Sequence, residues 1–522
     1  MIARLVGSEM CIRDRNDTLS ANVNLNPIMS AALRDYVATL ETDDGTITAG
    51  LLLMNPMTGE ILCNADYVPQ SSISVPRKLN VNHVNHWIGS TFKPILAASC
   101  LATYPALTNF QLRFGTQNTS SWGRFVRLRE ANNTRDSMVR LLGYQMYSFS
   151  GTAWGTLTNH THHTLSDLMQ YSLNVYPVAL LLAALSHAEN VGEAEQLRTT
   201  IHQEISENGT TNRRFTEGQI THSEILQIGK NGHLELQPSK NLFSSTFGKK
   251  FTKLFDVDIR DNYKYPHYDT VWGELFVHET DTPHRHHLRV LSPDKNTMYF
   301  KDMDKHKAKS FRSEVVSWVL GGHSNKWSNV KLAEAYSRLI SRRRIVASYT
   351  KDIDARAESL GLTSEGNSAW NTLLSYMNTT GNVDNFLSGG SVIQYFRDNG
   401  LVSSDESFVI PGKTGTPQEY NVSYSVALNS GASKSKYLHI QQGLFCFMLM
   451  SQSQYDNITD DDLSLVTGNS GIVGVIYLKY ELEKDNEQPI GETVINSSKA
   501  RDFLQQSNVM KTLILNTVEL YQ

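Results

Sequence analysis

The chain has 522 residues, 40% of them apolar, and a formal net charge of -4, which is enough for a large core and excludes a disordered protein. With 48 Lys and Arg against 52 Asp and Glu, and no basic run beyond Arg342–Arg344, it carries no electrostatic footprint for nucleic acid. The longest apolar segments, Val178–Leu185 and Leu444–Met450, fall far short of the roughly 20 residues of a membrane-crossing helix. The four cysteines, Cys11, Cys63, Cys100 and Cys446, are too scattered for a disulfide framework or a zinc cluster and read as small core residues.

In chain order, "LVGSEMCIRDR" resembles translated sequencing adapter, so residues 1–15 are expected to be non-native and 16–45 to be a linker or the end of a truncated upstream region. The absence of a leader there says nothing about location. From Ile47, two β-rich runs flank Pro56, Met57, Thr58 and Gly59 and predict a hairpin that opens the ordered domain, residues 46–522. A polar loop, "VPRKLNVNHVNHW", leads to "GSTFKPILAASCLATY", whose apolar spacing predicts a buried helix with Gly89 and Ser90 at its N-terminus. "LSDLMQYSLNVYPVALLLAAL" predicts two helical pieces, broken between Ser172 and Tyr176 because Pro177 fits only a first turn. Residues from about 187 to 310 read as a polar, irregular insertion. "SNVKLAEAYSRLISRR" predicts an amphipathic helix with Val330, Ala333, Tyr336 and Leu339 or Ile340 on its inner face and a solvated basic end. "ESFVIPGKTGT", "SYSVALNS" and "GLFCFMLMSQS" predict strands, and a helix from about Ala500 to Val518 closes the chain. Strands, helices, strands and a final helix predict one α/β (α+β) domain.

Three short motifs carry chemistry. In "STFK", Ser90 and Lys93 stand three apart on a helix, so a hydroxyl nucleophile and an amine base share a face. Lys93 must be neutral to act, and burial, the helix dipole and a second cation such as Lys413 would all favour that. The spacing recurs at Ser292/Lys295, Ser328/Lys331, Ser348/Lys351 and Ser433/Lys436; only Ser90 directly follows a glycine at the head of an apolar helix. "SLN" supplies the Ser172 hydroxyl and the Asn174 carboxamide, although other Ser-x-Asn triplets occur. "KTGT" occurs once: on a strand, Gly415 lets another backbone approach while Lys413, Thr414 and Thr416 gather around a carboxylate. The histidine groups His160, His162, His163 and His284, His286, His287 lack a ligand set, and no metal or other cofactor is expected.

The order SxxK, SxN, KTGT is the set found in penicillin-binding proteins and related β-lactamases. The chain resembles the transpeptidase domain of penicillin-binding proteins, and "NPMTGEILCNADY", "GSTFKPIL" and "LGGHSNKWSNVKLAEAYSRLIS" extend the likeness. The resemblance implies an α/β/α sandwich around a central antiparallel sheet and a substrate peptide ending in D-Ala-D-Ala. It implies Ser90 as acylated nucleophile, Lys93 as general base, Ser172 as proton relay and Asn174 as the group that binds the substrate amide. It further implies Lys413 as electrostatic tuner, Thr414, Gly415 and Thr416 as the carboxylate-binding strand, and the Ser90 and Thr416 N–H groups as oxyanion hole. Peptidoglycan stem peptides and β-lactams are the implied partners, at the periplasmic face of the inner membrane and with an anchor there. Ile88 before the Gly-Ser pair, Pro177 and the long separation between SLN and KTGT depart from the family pattern. A D,D-carboxypeptidase or β-lactamase-like hydrolase is the nearest alternative, and a non-catalytic wall-assembly or sensor protein the third.

Overall fold

The computed structural model describes residues 25–40, 44–69, 72, 80–110, 112–113, 127–128, 137–141, 144–148, 162–174, 176–177, 180–181, 184, 226–228, 234–236, 246–256, 274–282, 285–290, 318–322, 325–349, 358–378, 390–400, 408–417, 420–427, 433–459, 471–485 and 491–519. Its first half contains helix α1 (Leu25–Leu40), strands β1 (Thr46–Met54), β2 (Ile61–Tyr67) and β3 (His86–Trp87), and helices α2 (Phe92–Thr103), α3 (Leu165–Tyr171) and α4 (Thr246–Phe255). Strands β4 (Glu274–Thr282), β5 (Arg285–Val290) and β6 (Asn325–Trp327) follow, then helices α5 (Asn329–Ser341), α6 (Ser364–Met377) and α7 (Gly390–Asp398). The last part contains β7 (Phe408–Val409), β8 (Gly412–Gly415), β9 (Tyr420–Ala427), β10 (Ser433–Ser451), α8 (Gln452–Thr459), β11 (Ile472–Lys484), α9 (Ser497–Asp502) and α10 (Ser507–Glu519).

The expected hairpin forms: β1 pairs antiparallel with β2. Its turn is closed by the Asn55 side chain, which accepts the N–H groups of Met57 and Thr58 at 2.9 and 3.2 Å, the local bonding that favours Asn in turns. Gly59 sits there at φ +79, where a Cβ would stand 2.1 Å from the Val346 carbonyl oxygen. The hairpin supplies two strands of a seven-stranded antiparallel sheet of order β7-β10-β11-β1-β2, with β8 and β9 also paired to β10. The "ESFVIPGKTGT" run is two strands rather than one. Pro411 has no N–H to donate to the ladder, yet its carbonyl accepts from Met448 at 2.9 Å, so the edge resumes at Gly412.

Both faces of this sheet are buried, as the side-chain alternation of β10 shows. Leu444, Cys446, Met448 and Met450 join one core cluster with α2, α4, α5 and α6. Phe445, Phe447 and Leu449 join the other with α1, α7 and α10. Each such aliphatic or aromatic side chain contributes about 1.5–3 kcal/mol on burial. Helix α1 falls in the stretch read as a linker, and it seats Leu25, Met29, Leu33 and Val37 on the sheet because those positions line one helical face. Helix α4, within the stretch read as irregular, likewise buries Phe247, Phe251, Leu254 and Phe255 in the first cluster. The closing helix is two, α9 and α10, separated by a 3₁₀ turn at Phe503–Gln505.

Helix α5 departs from the amphipathic expectation: all 13 of its residues are buried, Lys331, Glu334 and Arg338 among them. Charges survive there because they satisfy one another. Arg338 Nη2 meets Asp256 at 2.7 Å, its Nη1 donates to the Leu254 carbonyl at 2.9 Å and its Nε to the Ile345 carbonyl at 3.0 Å. Lys331 pairs with Glu334 at 3.2 Å, and Glu334 also accepts the Ala347 N–H at 2.8 Å. Burial pulls Lys331 down to about 8 despite Glu334. Nor is the Arg342–Arg344 end solvated throughout. Arg342 is 3% exposed, caps α5 in the left-handed conformation, bonds Asn371 at 2.7 Å and lies over the Trp370 ring. Arg344 alone of the three is exposed, and it pairs with Asp256. Arg338→Met is expected to lower unfolding stability by about 1–3 kcal/mol, because the buried Leu254 and Ile345 carbonyls lose their donor while Asp256 keeps Arg344; chemical denaturation reads this directly.

Candidate active site

The segment that presents Ser90 is held by a web of buried amides. Asn82 Nδ2 faces the carbonyl oxygens of Leu51 and Ala65 at 3.2 and 3.0 Å, which fixes its orientation and turns Oδ1 toward Asn329 Nδ2 at 2.6 Å. Asn329 Oδ1 is therefore left to His86 Nε2 at 2.7 Å, while His86 Nδ1 faces the Trp87 carbonyl at 3.2 Å. The His86 ring stacks on Tyr477 at 4.0 Å, and burial pulls it down to about 4, so it is neutral. The polar "NVNHVNH" loop thus links the β1–β2 hairpin to β3, with Val81, Asn82 and His86 buried.

After β3 the chain turns at Gly89, φ +52, and a 3₁₀ turn over Gly89–Thr91 carries Ser90 into α2. Pro94 falls in the first turn of α2, where its missing N–H has no cost. Phe92–Leu101 are all buried, and Trp370 Nε1 donates to the Ala98 carbonyl at 2.8 Å. Ser90 is half-buried, and among the described residues its hydroxyl has no hydrogen-bond partner.

Lys93, with no exposed surface, directs its Nζ to the Ser172 carbonyl at 2.5 Å, Ser172 Oγ at 3.1 Å and Asn174 Oδ1 at 2.8 Å. Three N–H bonds and three acceptors match one ammonium, and a neutral amine leaves a lone pair. These acceptors stand where α3 ends. Thr164 and Asp167 form a capping box at its start, and Ser172 ends it in the left-handed conformation, φ 54. The expected break after "LMQY" lies there, and Tyr176 beyond it donates to the Phe110 carbonyl at 2.8 Å.

Lys413, on β8, is also fully buried, and its cross-strand partner is Cys446. The Cys446 thiol in turn lies near the side chains of Thr91 and Tyr336, which puts β10 beside the Ser90 turn. Burial, then the nearby Lys413 ammonium, pushes Lys93 well below the lysine range. Burial pulls Lys413 to about 7. Lys413 is thus a charged neighbour that adds to the effect of burial on Lys93. At Gly415 a Cβ would stand 2.6 Å from the Ile88 carbonyl oxygen and 3.0 Å from the Thr91 nitrogen, so this strand touches the Ser90 turn because the residue is glycine. Strand alternation sends Thr414 to the face opposite Lys413, opposite Phe445, and it is 2% exposed. Thr416 is exposed, and its Oγ1 accepts the Ser497 N–H at 3.0 Å.

Segments more than 300 residues apart in "STFK" and "KTGT" thus meet around Lys93, with "SLN" on the other side. The amide web and the Tyr336 hydroxyl, which donates to the Thr91 carbonyl at 2.9 Å, were missed in the sequence. Three asparagines and two histidines in "NVNHVNH" were the available sign of the web. The two histidine groups lie outside the residues whose side chains are described. Among the described residues no cluster fits a metal ion, and no helix is long and apolar enough to cross a membrane.

No protein-family model matches the chain, and no curated protein matches its sequence. Among solved structures it is similar to the TP domain of Burkholderia pseudomallei penicillin-binding protein 3, at 12% identity and TM-score 0.42 over 95% of this chain and 97% of that one. It is also similar to a peptidoglycan glycosyltransferase from Burkholderia ambifaria, at 12% identity and TM-score 0.41 over 95% and 98%. The penicillin-binding protein PonA1 from Mycobacterium tuberculosis matches at 10% identity and TM-score 0.43 over 94% and 82%.

Lys413 titrates at about 10.5 in the unfolded chain and at about 7 in the folded one. Between those values the unfolded state binds the extra proton, so stability rises with pH through that window. Lys413→Met is expected to raise the melting temperature at pH 7 by roughly a few degrees, with a gain that shrinks toward pH 10; scanning calorimetry at both values checks it.

Proposed function

We propose that the chain is a penicillin-binding serine D,D-transpeptidase. The observation that carries this reading is the placement of Lys93: an amine without exposed surface, enclosed by Ser172 and Asn174 and depressed by Lys413, one helical turn from the Ser90 hydroxyl. An amine so depressed gives up its own proton more readily than an ordinary lysine, which is what a base for the serine hydroxyl requires.

In this reading the Ser90 Oγ–H proton passes to Lys93 while Oγ bonds the carbonyl carbon of the penultimate D-Ala. The Ser90 and Thr416 N–H groups receive the oxyanion, an arrangement whose loss costs about 10²–10³ in rate. The C–N bond to the terminal D-Ala then breaks, and the proton on Lys93 travels through Ser172 Oγ to the leaving amine. An amine of a neighbouring stem peptide attacks the acyl-enzyme, its proton returns by the same route, and Ser90 is restored. Asn174 orients the substrate amide. The exposed Thr416 hydroxyl meets the terminal carboxylate, with the Lys413 charge behind it and Thr414 on the buried side. No cofactor enters these steps. Such a substrate places the reaction on the extracytoplasmic side of the inner membrane, where we propose the protein is tethered.

Intact-mass analysis after exposure to benzylpenicillin is expected to show one adduct on the wild type and none on Ser90→Ala. An adduct on both, or on neither, would overturn the assignment, and repeated release of penicilloic acid would make the protein a hydrolase. The second-order acylation constant reports the free enzyme. It is expected to rise with pH as Lys93 loses its proton and to fall above about 7 as Lys413 loses its own. Lys413→Ala removes the cation that depresses Lys93, so the rising limb should move to higher pH while the falling limb disappears. A profile unchanged by that substitution would dissociate Lys413 from the base.

A further inference from the structure

The turn that carries Ser90 is anchored from behind by a residue outside the three motifs. The carbonyl of Gly321 accepts two N–H groups at once, from Ile88 at 3.2 Å and from Gly89 at 2.8 Å. The Thr91 N–H goes back to the Ile88 carbonyl at 3.3 Å, and the Phe92 N–H to the Gly89 carbonyl. Of the turn's backbone donors, the Ser90 N–H is the one with no partner among the described residues.

This contact requires glycine at position 321. Its φ is +74, and a Cβ there would stand 2.0 Å from the Gly89 carbonyl oxygen and 2.7 Å from the Gly89 nitrogen. The anchor is also firmly held. The Gly321 N–H and Asn325 Nδ2 both donate to the Trp318 carbonyl, at 2.9 and 2.8 Å. Trp318 packs edge-on against Phe92 of α2 at 5.0 Å. Asn325 starts β6, the strand paired with β3 that leads into the turn. The Gly321 carbonyl is therefore tied to the segments on both sides of Ser90.

We propose that Gly321 is a positioning residue for acylation: by engaging the Ile88 and Gly89 N–H groups it sets the turn so that the Ser90 N–H is left for the oxyanion. This rests on the reading of Ser90 as nucleophile. A side chain at 321 would push the turn away, and a displacement of about 1 Å costs roughly 100-fold in rate.

Stopped-flow acylation by a chromogenic β-lactam, resolved into a noncovalent Kd and a rate constant for acylation, tests this with Gly321→Ala beside Gly59→Ala. Gly59 is a matched lesion in the β1–β2 turn, with φ +79 and a carbonyl 2.1 Å from the would-be Cβ. Both variants should lose stability. Gly321→Ala alone should lose about 100-fold in the acylation rate constant, with Kd little changed. Equal losses in both variants, or a wild-type rate in folded Gly321→Ala, overturn the proposal. Should Gly321→Ala not fold, hydrogen exchange of the wild type decides. Ile88 and Gly89 amides should be protected and the Ser90 amide should not be, until acylation; free exchange at Ile88 and Gly89 overturns the anchor. A wild type that no β-lactam acylates would sink the nucleophile reading, while the exchange of Ile88 and Gly89 still tests the anchor.

Discussion

The arrangement around Ser90 depends on keeping the Lys93 amine out of water. An ammonium moved from water into protein loses several kcal/mol of solvation unless acceptors replace it, and three do so here, two of them from Ser172. Ser172 supplies both by adopting a left-handed backbone, φ 54, a conformation that costs a non-glycine residue about 1–2 kcal/mol. Strain at Ser172 and the burial of Lys413 act in opposite directions. The acceptors favour the ammonium, whereas burial and the second cation favour the amine, and burial and repulsion prevail. An amine balanced in this way can take a proton and also return it.

The surrounding structure makes that balance possible by bringing backbones unusually close. Gly89, Gly321 and Gly415 meet from three elements, each where a Cβ would crowd a neighbouring backbone. The sheet fixes Gly415 through β10, the amide web fixes Gly89 through β3, and the Trp318–Asn325 segment fixes Gly321. Helix α5 braces the arrangement from within, with Tyr336 bonded to Thr91 and Asn329 to Asn82 and His86. Its charges form a closed set with Asp256 after α4 rather than a solvent face.

Much of this was legible because local chemistry and the fold agree. The β1–β2 hairpin follows from turn residues between β-rich runs, α2 from its apolar spacing and Pro94, and the break after α3 from Pro177. The three motifs pointed to residues that do converge on Lys93. Helix α5 was misjudged because polar residues three and four apart signal a solvent face unless distant partners neutralise them. Asp256 lies 82 residues from Arg338, and Trp370 covers Arg342 from another helix. Thr414 was grouped with Lys413 because a motif does not show that strand neighbours point to opposite faces of a sheet buried on both sides.

By itself the sequence determined which groups are available: a hydroxyl and an amine one helical turn apart, a hydroxyl with a carboxamide, and a glycine-containing strand bearing a cation. Those are properties of residue type and short-range spacing, which the local backbone expresses directly. Only the tertiary structure decided that Lys93 is buried against Ser172 and Asn174, that Lys413 bears on it, and that Gly321 stands behind Ser90. Solvation, charge–charge repulsion and backbone contact act between segments hundreds of residues apart, and no local pattern encodes them.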